Sequence, residues 1–221
     1  MMATHAMQDD LVIQEPDAAT TPAAELLLLF HGVGSSAEDL RPLGEALAAH
    51  RPQARVVNVR SPLRSDFGAG WQWFSVQGVN EQNRPTRVAA AMPAFLARVQ
   101  AWQRATGVTA AHTTLVGFSQ GAIMALESTQ QDGQALAGRV VAIAGRFAQP
   151  PRRAPASTLM NLMHGDLDRV MPVALAVEAD RQLRAVGARS TLDRFAGLGH
   201  GIDAQVVEAI LRRMSQAQEL E

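Results

Sequence analysis

Thr113-Thr114-Leu115-Val116-Gly117-Phe118-Ser119-Gln120-Gly121 is the stretch on which the reading of this chain turns. Its first four residues are β-branched and apolar, as in a buried strand, and residues 120–131 have helical spacing. Between them lies Gly-x-Ser-x-Gly, in the strand–turn–helix context this pattern requires. On so sharp a turn Ser119 sits at strained backbone angles. Side chains at Gly117 and Gly121 would collide with the strand and the helix. Ser119 Oγ is then lifted above the sheet edge, and the Gln120 N–H points from the helix N-terminus toward developing negative charge. The plainer alternative is an ordinary strand–helix turn with Ser119 as an N-cap.

Working outward, short apolar runs alternate with longer helical patterns. Residues 26–30, 56–59, 113–116, 140–143 and 158–163 read as strands covered on both faces. Residues 190–195 alternate in polarity and fit a sheet edge, and residues 11–13 fit a short first strand. Helices are expected over 37–50, 86–105, 120–131, 173–186 and 201–216, with Pro93 marking a start or a kink. Pro172 suits a helix start and Gly187 a helix stop. This alternation predicts one α/β domain over residues 11–216, a mainly parallel sheet with helices on both faces. Residues 1–10 and 217–221 are expected as tails. Right-handed crossovers put ligand chemistry at the carboxyl ends of the strands, where the motifs fall.

Composition narrows the chemistry. The 221 residues contain no Cys and no Tyr, and all 20 basic residues are Arg. Disulfides, thiol nucleophiles, Schiff-base chemistry and the lysine of a phosphate-binding loop are excluded. A net charge of −1 gives no footprint for nucleic acid or an anionic membrane. Apolar runs such as Leu26 to Phe30 are far too short for a bilayer span. The first basic residue other than His5 and His31 is Arg41, so the N-terminus does not read as a targeting segment. A cytoplasmic protein is expected. What remains for chemistry is Ser/Thr, Asp/Glu and His.

A serine hydroxyl needs a base, and the base needs an orienter. Of the six histidines, His200 in Gly197-Leu198-Gly199-His200-Gly201 lies between the last strand and the last helix, a loop able to carry an imidazole over a strand end. After the fifth main strand, His164-Gly165-Asp166-Leu167-Asp168-Arg169-Val170-Met171-Pro172 offers two carboxylates. Asp168 is preferred as the acid because it lies further into the loop, with Asp166 bracing the turn; Asp193 and Asp203 are weaker rivals. The order Ser, Asp, His is that of the α/β-hydrolase template. The glycines of Phe30-His31-Gly32-Val33-Gly34 let the backbone approach a substrate, with the Val33 N–H as partner to that of Gln120 in an oxyanion hole. A phosphate loop is the rival reading, and His31 is expected to order the loop. Residues 60–84 are long and aperiodic and carry Trp71, Trp73 and Phe74. They are read as a core-packing flap or as an apolar pocket wall.

These motifs resemble the phospholipase/carboxylesterase group of α/β hydrolases, which includes the acyl-protein thioesterases. The resemblance rests on HGVG at 31–34, WQWF at 71–74, GFSQG at 117–121, HGDLDRVMP at 164–172 and GLGH at 197–200, and extends over residues 11–214. It is closest to a bacterial esterase branch. It implies Ser119 as nucleophile, Asp168 as acid, His200 as base, Val33 and Gln120 as oxyanion donors, and Trp71, Trp73 and Phe74 near the substrate. It implies a single-domain fold without a large cap, no cofactor and no metal. The expected partner is a small-molecule acyl ester or thioester, with a homodimer allowed and neither nucleic acid nor an integral membrane contact. Rivals are an amidase or peptidase on the same fold and a non-catalytic binding protein. The chain departs from the group's pattern at Val33, where eukaryotic thioesterases have Leu, and at Ser75, where a Trp-Phe-Asp-like run is usual.

Overall fold

The structure, a computed structural model, describes residues 7–16, 23–155 and 157–216. Its strands are β1 (Leu11–Gln14), β2 (Glu25–Phe30), β3 (Ala54–Val59), β4 (Leu63–Arg64), β5 (Trp71–Gln72), β6 (Thr113–Phe118), β7 (Arg139–Ile143), β8 (Leu159–Gly165) and β9 (Ser190–Phe195). Among the described residues five α-helices accompany them: α1 (Arg41–His50), α2 (Arg84–Thr106), α3 (Gln120–Ser128), α4 (Ala174–Ala185) and α5 (Ala204–Ser215). One sheet runs in the order β1-β3-β2-β6-β7-β8-β9, while β4 and β5 pair separately. Only β1 is antiparallel to its neighbour in that sheet. This is a single α/β-hydrolase domain, with no helix or strand among the described residues between β7 and β8.

The two-sided cover explains why the strands read as continuous apolar runs. In β2, Leu26, Leu28 and Phe30 face one core with α2, α3 and α4, while Leu27 and Leu29 face a second with α1 and α5. Each fully buried Leu or Phe contributes about 1.5–3 kcal/mol relative to exposure. Every residue of α3 is buried, because this helix packs against β6 and β7 beneath α2. It is accordingly apolar around most of its circumference rather than on one stripe.

Two local expectations are corrected. Of the start or kink expected at Pro93, the start is not found, because α2 continues through it. The start belongs to Pro85 in the first turn, and Pro93 is exposed, as is Ala89, whose carbonyl it deprives of the usual helical partner. The 60–84 segment contains the β4–β5 hairpin, pairing Leu63 with Gln72 and Arg64 with Trp71. Strands of two residues are too short to show a period. At the chain start, Asp10, which the sequence reading puts in the N-terminal tail, has a fully buried carboxylate bonded to Arg98 at 2.5 Å and Trp102 Nε1 at 2.8 Å. Residues 1–6 and 217–221 lie outside the described residues.

Candidate active site

Ser119 occupies the turn between β6 and α3 with φ 53° and ψ −113°, a conformation costing a non-glycine residue roughly 1–3 kcal/mol. The surroundings over-determine it. Its N–H donates to Ile143 O at 2.9 Å, and its carbonyl accepts from Ile123 N–H at 3.1 Å. A Cβ on Gly117 would lie 2.5 Å from both Ala122 N and Gly121 O, and one on Gly121 would lie 2.1 Å from Phe30 O. Both glycines are therefore required by close backbone approach at the crossing of β2, β6 and α3.

The three side chains singled out from the sequence meet. Ser119 Oγ is 2.9 Å from His200 Nε2, and His200 Nδ1 is 2.7 Å from Asp168 Oδ2. Asp168 Oδ1 accepts from the N–H groups of Val170 at 2.9 Å and Met171 at 2.8 Å. Burial alone would raise the Asp168 carboxyl, but the hydrogen bond from His200 and those two amides outweigh it and hold the group below the usual carboxylate range. An ionised Asp168 only accepts, so His200 carries its proton on Nδ1 and leaves Nε2 free to accept from Ser119. Phe118 lies beside the imidazole, with ring centroids 5.1 Å apart.

The other carboxylates have different partners. Asp166 does not brace the turn, since Asp168 itself caps it, and Asp166 instead pairs with Arg194 Nε at 2.7 Å. Asp193 pairs with Arg212 and Arg213. Asp203 is the N-cap of α5, accepting from Val206 N–H at 3.0 Å. The acid and base loops are laced together by main-chain bonds from Asp166 N–H to Phe195 O and from Leu167 N–H to Leu198 O, each 2.9 Å. A Cβ on Gly165 would lie 2.3 Å from Leu198 O, which explains that glycine.

On the opposite side of Ser119, the loop after β2 approaches so closely that a Cβ on Gly32 would lie 3.1 Å from Ser119 Cβ. His31 is fully buried and orders this loop. Its Nδ1–H donates to Gly32 O at 2.7 Å, and its Nε2 accepts from Ser61 N–H at 3.1 Å. Burial lowers its pKa, so the imidazole is neutral. The Gly34 and Ser35 N–H groups bond Trp71 O and Gly32 O, whereas the Val33 N–H has no protein partner among the described residues. Gln120 is the first residue of α3, so its N–H has no carbonyl one turn back.

The flap residues lie where their chemistry is mixed. Trp73 is 2% exposed and packs on Phe30 and Phe95 with centroids 5.8 and 5.1 Å away, and Phe74 is 4% exposed. These side chains fill the core, because the strip crosses over the first core between β2 and α2. Trp71 is half-buried, with the guanidinium carbons of Arg60 and Arg64 each 3.9 Å from its ring centroid. Val33 in the loop after β2, Phe67 in the flap, and Leu167 and Val170 in the acid loop are exposed large apolar side chains.

Three contributors escape the sequence reading. His164, buried beneath the acid loop, puts Nε2 2.7 Å from Met171 O and 3.3 Å from Asp168 Oδ2. Its signal was the i,i+4 spacing to Asp168. The Gln120 side chain reaches back to the flap, accepting from Trp73 N–H at 2.6 Å and donating to Phe74 O at 2.8 Å. Asp66 accepts from Gln72 Nε2 at 3.0 Å, Ser75 Oγ at 2.6 Å and Val76 N–H at 2.9 Å. The hydroxyl at position 75 thus meets a carboxylate that comes from elsewhere in the flap. Neither Gln120 nor Asp66 has a local sequence signature for these long-range bonds.

Fold and site together define an α/β hydrolase with a serine, a histidine and an aspartate in one hydrogen-bonded line at the carboxyl edge of its sheet. Residues 9–217 match the Phospholipase/Carboxylesterase family, and the chain belongs to it as an esterase of the carboxylesterase class. It is 45% identical over 203 residues to esterase YpfH of Escherichia coli (strain K12), covering 92% of this chain and 86% of that protein. Among solved structures it superposes on esterase PE8 with a TM-score of 0.82 at 28% identity, covering 90% of this chain and 95% of that one. The Bacillus cereus carboxylesterase shares the fold at a TM-score of 0.75 and 17% identity, over 96% of this chain and 98% of that one. No helix among the described residues is long and apolar enough to cross a membrane.

Proposed function

We propose that the protein is a serine esterase that cleaves carboxylic esters or thioesters of small to medium acyl chains through an acyl-enzyme on Ser119. The observation that carries this reading is the unbroken line from Ser119 Oγ through His200 to Asp168, with contacts of 2.9 and 2.7 Å. Neutral His200 takes the Ser119 proton at Nε2 while Oγ forms a bond to the acyl carbon. The ionised Asp168 stabilises the resulting imidazolium. The tetrahedral oxyanion is met by the N–H groups of Val33 and Gln120, each such donor contributing roughly 3 kcal/mol of barrier reduction. Collapse expels the alcohol or thiol, which leaves with the proton from His200 Nε2. Water then attacks the acyl-enzyme, giving its proton to His200, and the acid is released with Ser119 restored. The exposed Val33, Phe67, Leu167 and Val170 supply an apolar rim for the acyl group.

Turnover of p-nitrophenyl acetate, butyrate and octanoate by the wild type and Ser119→Ala tests the reading, together with mapping of a fluorophosphonate adduct. The variant is expected to lose about 10⁵–10⁶-fold in kcat, and the adduct is expected on Ser119. Equal turnover by the variant, or labelling elsewhere, overturns the assignment. Paired ester and thioester substrates then separate the two leaving groups, and faster turnover of the matching anilides would move the reading to an amidase.

A further inference from the structure

The two amides proposed for the oxyanion hole come from loops far apart in the chain, after β2 and after β6. Their relative position has to be held to a fraction of an ångström for both to reach one oxygen. The structure contains a physical link between them. It begins at Gln120, whose side chain is buried and has both polar ends occupied by the flap backbone: Oε1 accepts from Trp73 N–H at 2.6 Å and Nε2 donates to Phe74 O at 2.8 Å. Two residues before Trp73, the Trp71 carbonyl accepts from Gly34 N–H at 2.9 Å, and the Trp71 N–H donates to Ser35 O at 2.8 Å. Gly34 and Ser35 directly follow Val33. The strip lies so close to this loop that a Cβ on Gly70 would come within 2.0 Å of Gly34 O.

We propose that the side-chain amide of Gln120 is a positioning residue for the oxyanion hole, setting the Val33 N–H in register with its own main-chain N–H through the Trp71–Phe74 backbone. The proposal rests on the serine-esterase reading above. One residue thereby has two tasks: its main-chain N–H meets the oxyanion, and its side chain fixes where the second donor stands. The flap acts through its main chain, as a splint between two loops. This explains why the position after the nucleophile carries a planar group with one donor and one acceptor. A hydrocarbon of equal size would leave the Trp73 N–H and the Phe74 carbonyl buried without partners.

Gln120→Met and Gln120→Glu test the idea by steady-state kinetics on p-nitrophenyl butyrate across pH and by inhibition with an alkyl boronic acid, which forms a tetrahedral adduct on serine. A misaligned donor is worth part of a lost one, so Gln120→Met is expected to lower kcat about 10- to 100-fold. KM should stay within about twofold, and boronate affinity should fall in step with kcat/KM. The acid limb of the pH profile, which reports His200, should not move. Gln120→Glu adds a readout that loss of packing does not give. A neutral carboxylic acid can accept from Trp73 N–H and donate to Phe74 O, whereas a carboxylate can only accept. Activity of Gln120→Glu relative to wild type should therefore decline as pH rises, while that of Gln120→Met stays flat. This arm also holds if Gln120→Met folds poorly, since the protonated Glu variant keeps both bonds. A kcat for Gln120→Met within twofold of wild type overturns the proposal, as does a shifted acid limb in Gln120→Met or a pH-independent ratio for Gln120→Glu. Undiminished turnover by Ser119→Ala would instead strike the serine-esterase reading itself.

Discussion

Ser119 is flanked by two regions held in different ways. On one side, the acid and base loops are joined to strand ends and to each other by main-chain bonds, such as Asp166 N–H to Phe195 O and Leu167 N–H to Leu198 O. On the other, residues 60–84 cross the core with only the β4–β5 hairpin as regular structure. That segment is fixed largely by side chains: Asp66 gathers Gln72, Ser75 and Val76, Gln120 pins Trp73 and Phe74, and Arg87 donates to Ser75 O at 2.7 Å. Main-chain lacing tolerates substitution of the side chains it carries. Side-chain lacing concentrates the same function in a few polar groups, so single substitutions there should reach further.

The acid loop offers the largest expected effect and a contrast inside itself. Asp168→Asn replaces the acceptor of His200 Nδ1–H with a group that can present a donor, favouring the wrong tautomer, and kcat should fall about 10⁴-fold with the fold intact. Asp166→Asn removes only a partly exposed ion pair with Arg194 and should leave kcat within about twofold and stability within about 1 kcal/mol. Steady-state kinetics and thermal unfolding of both variants check this. Comparable losses in the two would show that the main-chain lacing does not insulate the loop from its side chains.

The flap offers the intermediate effect. Asp66 is solvent-exposed, yet its carboxyl lies below the usual range, chiefly through the hydrogen bonds from Ser75 and Gln72, against a small desolvation penalty and with help from the Gln77 and Val76 amides. Asp66→Ala should release the 65–77 turn, raise its susceptibility to limited proteolysis, and lower kcat/KM about three- to tenfold through the linked oxyanion loop. Asp66→Asn keeps acceptor capacity and should fall between the two. Unchanged protease sensitivity in Asp66→Ala would show that the flap is held by its hairpin and core aromatics alone.

The same contrast sets what is legible in the sequence. Strand positions could be read because two-sided burial makes β2 a run of Leu and Phe, and the nucleophile turn because Gly117 and Gly121 flank Ser119 at fixed spacing between a strand and a helix. Asp168 and His200 could be placed because each lies just beyond a strand, and parallel strands bring their ends together. The flap resisted because Trp73 can be a core residue or a pocket wall with the same local sequence. Only the presence of Phe30 and Phe95 around it decides, and those contacts span 43 and 22 residues of chain by position. The bonds from Gln120 and Asp66 are likewise long-range or irregular and leave no periodic trace. Pro93 marks no helix start because a proline on the solvent face of a long helix costs less than one facing the core.

The last test reads stability rather than rate and falls on the joint between the two regions, His31. Its Nε2 accepts from Ser61 N–H while Nδ1–H donates to Gly32 O, so one imidazole fixes both the start of the oxyanion loop and the start of the flap. Burial lowers its pKa from the ordinary 6.5, against raising contributions from the Gly32 carbonyl and from Asp39 and Glu38. Below 6.5 the unfolded chain therefore binds a proton that the folded chain refuses. The folded state is fully favoured above that pH and loses stability as pH falls toward the lowered value; protonation would aim an Nε2–H at the Ser61 N–H. His31→Gln should lower stability at neutral pH by about 1–3 kcal/mol, through the weakened buried hydrogen bonds. It should also flatten the decline in unfolding free energy between about pH 7.5 and about pH 5. Urea titrations of both proteins at the two pH values measure the two slopes. Equal slopes would mean that His31 accommodates its proton, and that the joint between oxyanion loop and flap does not depend on a neutral imidazole.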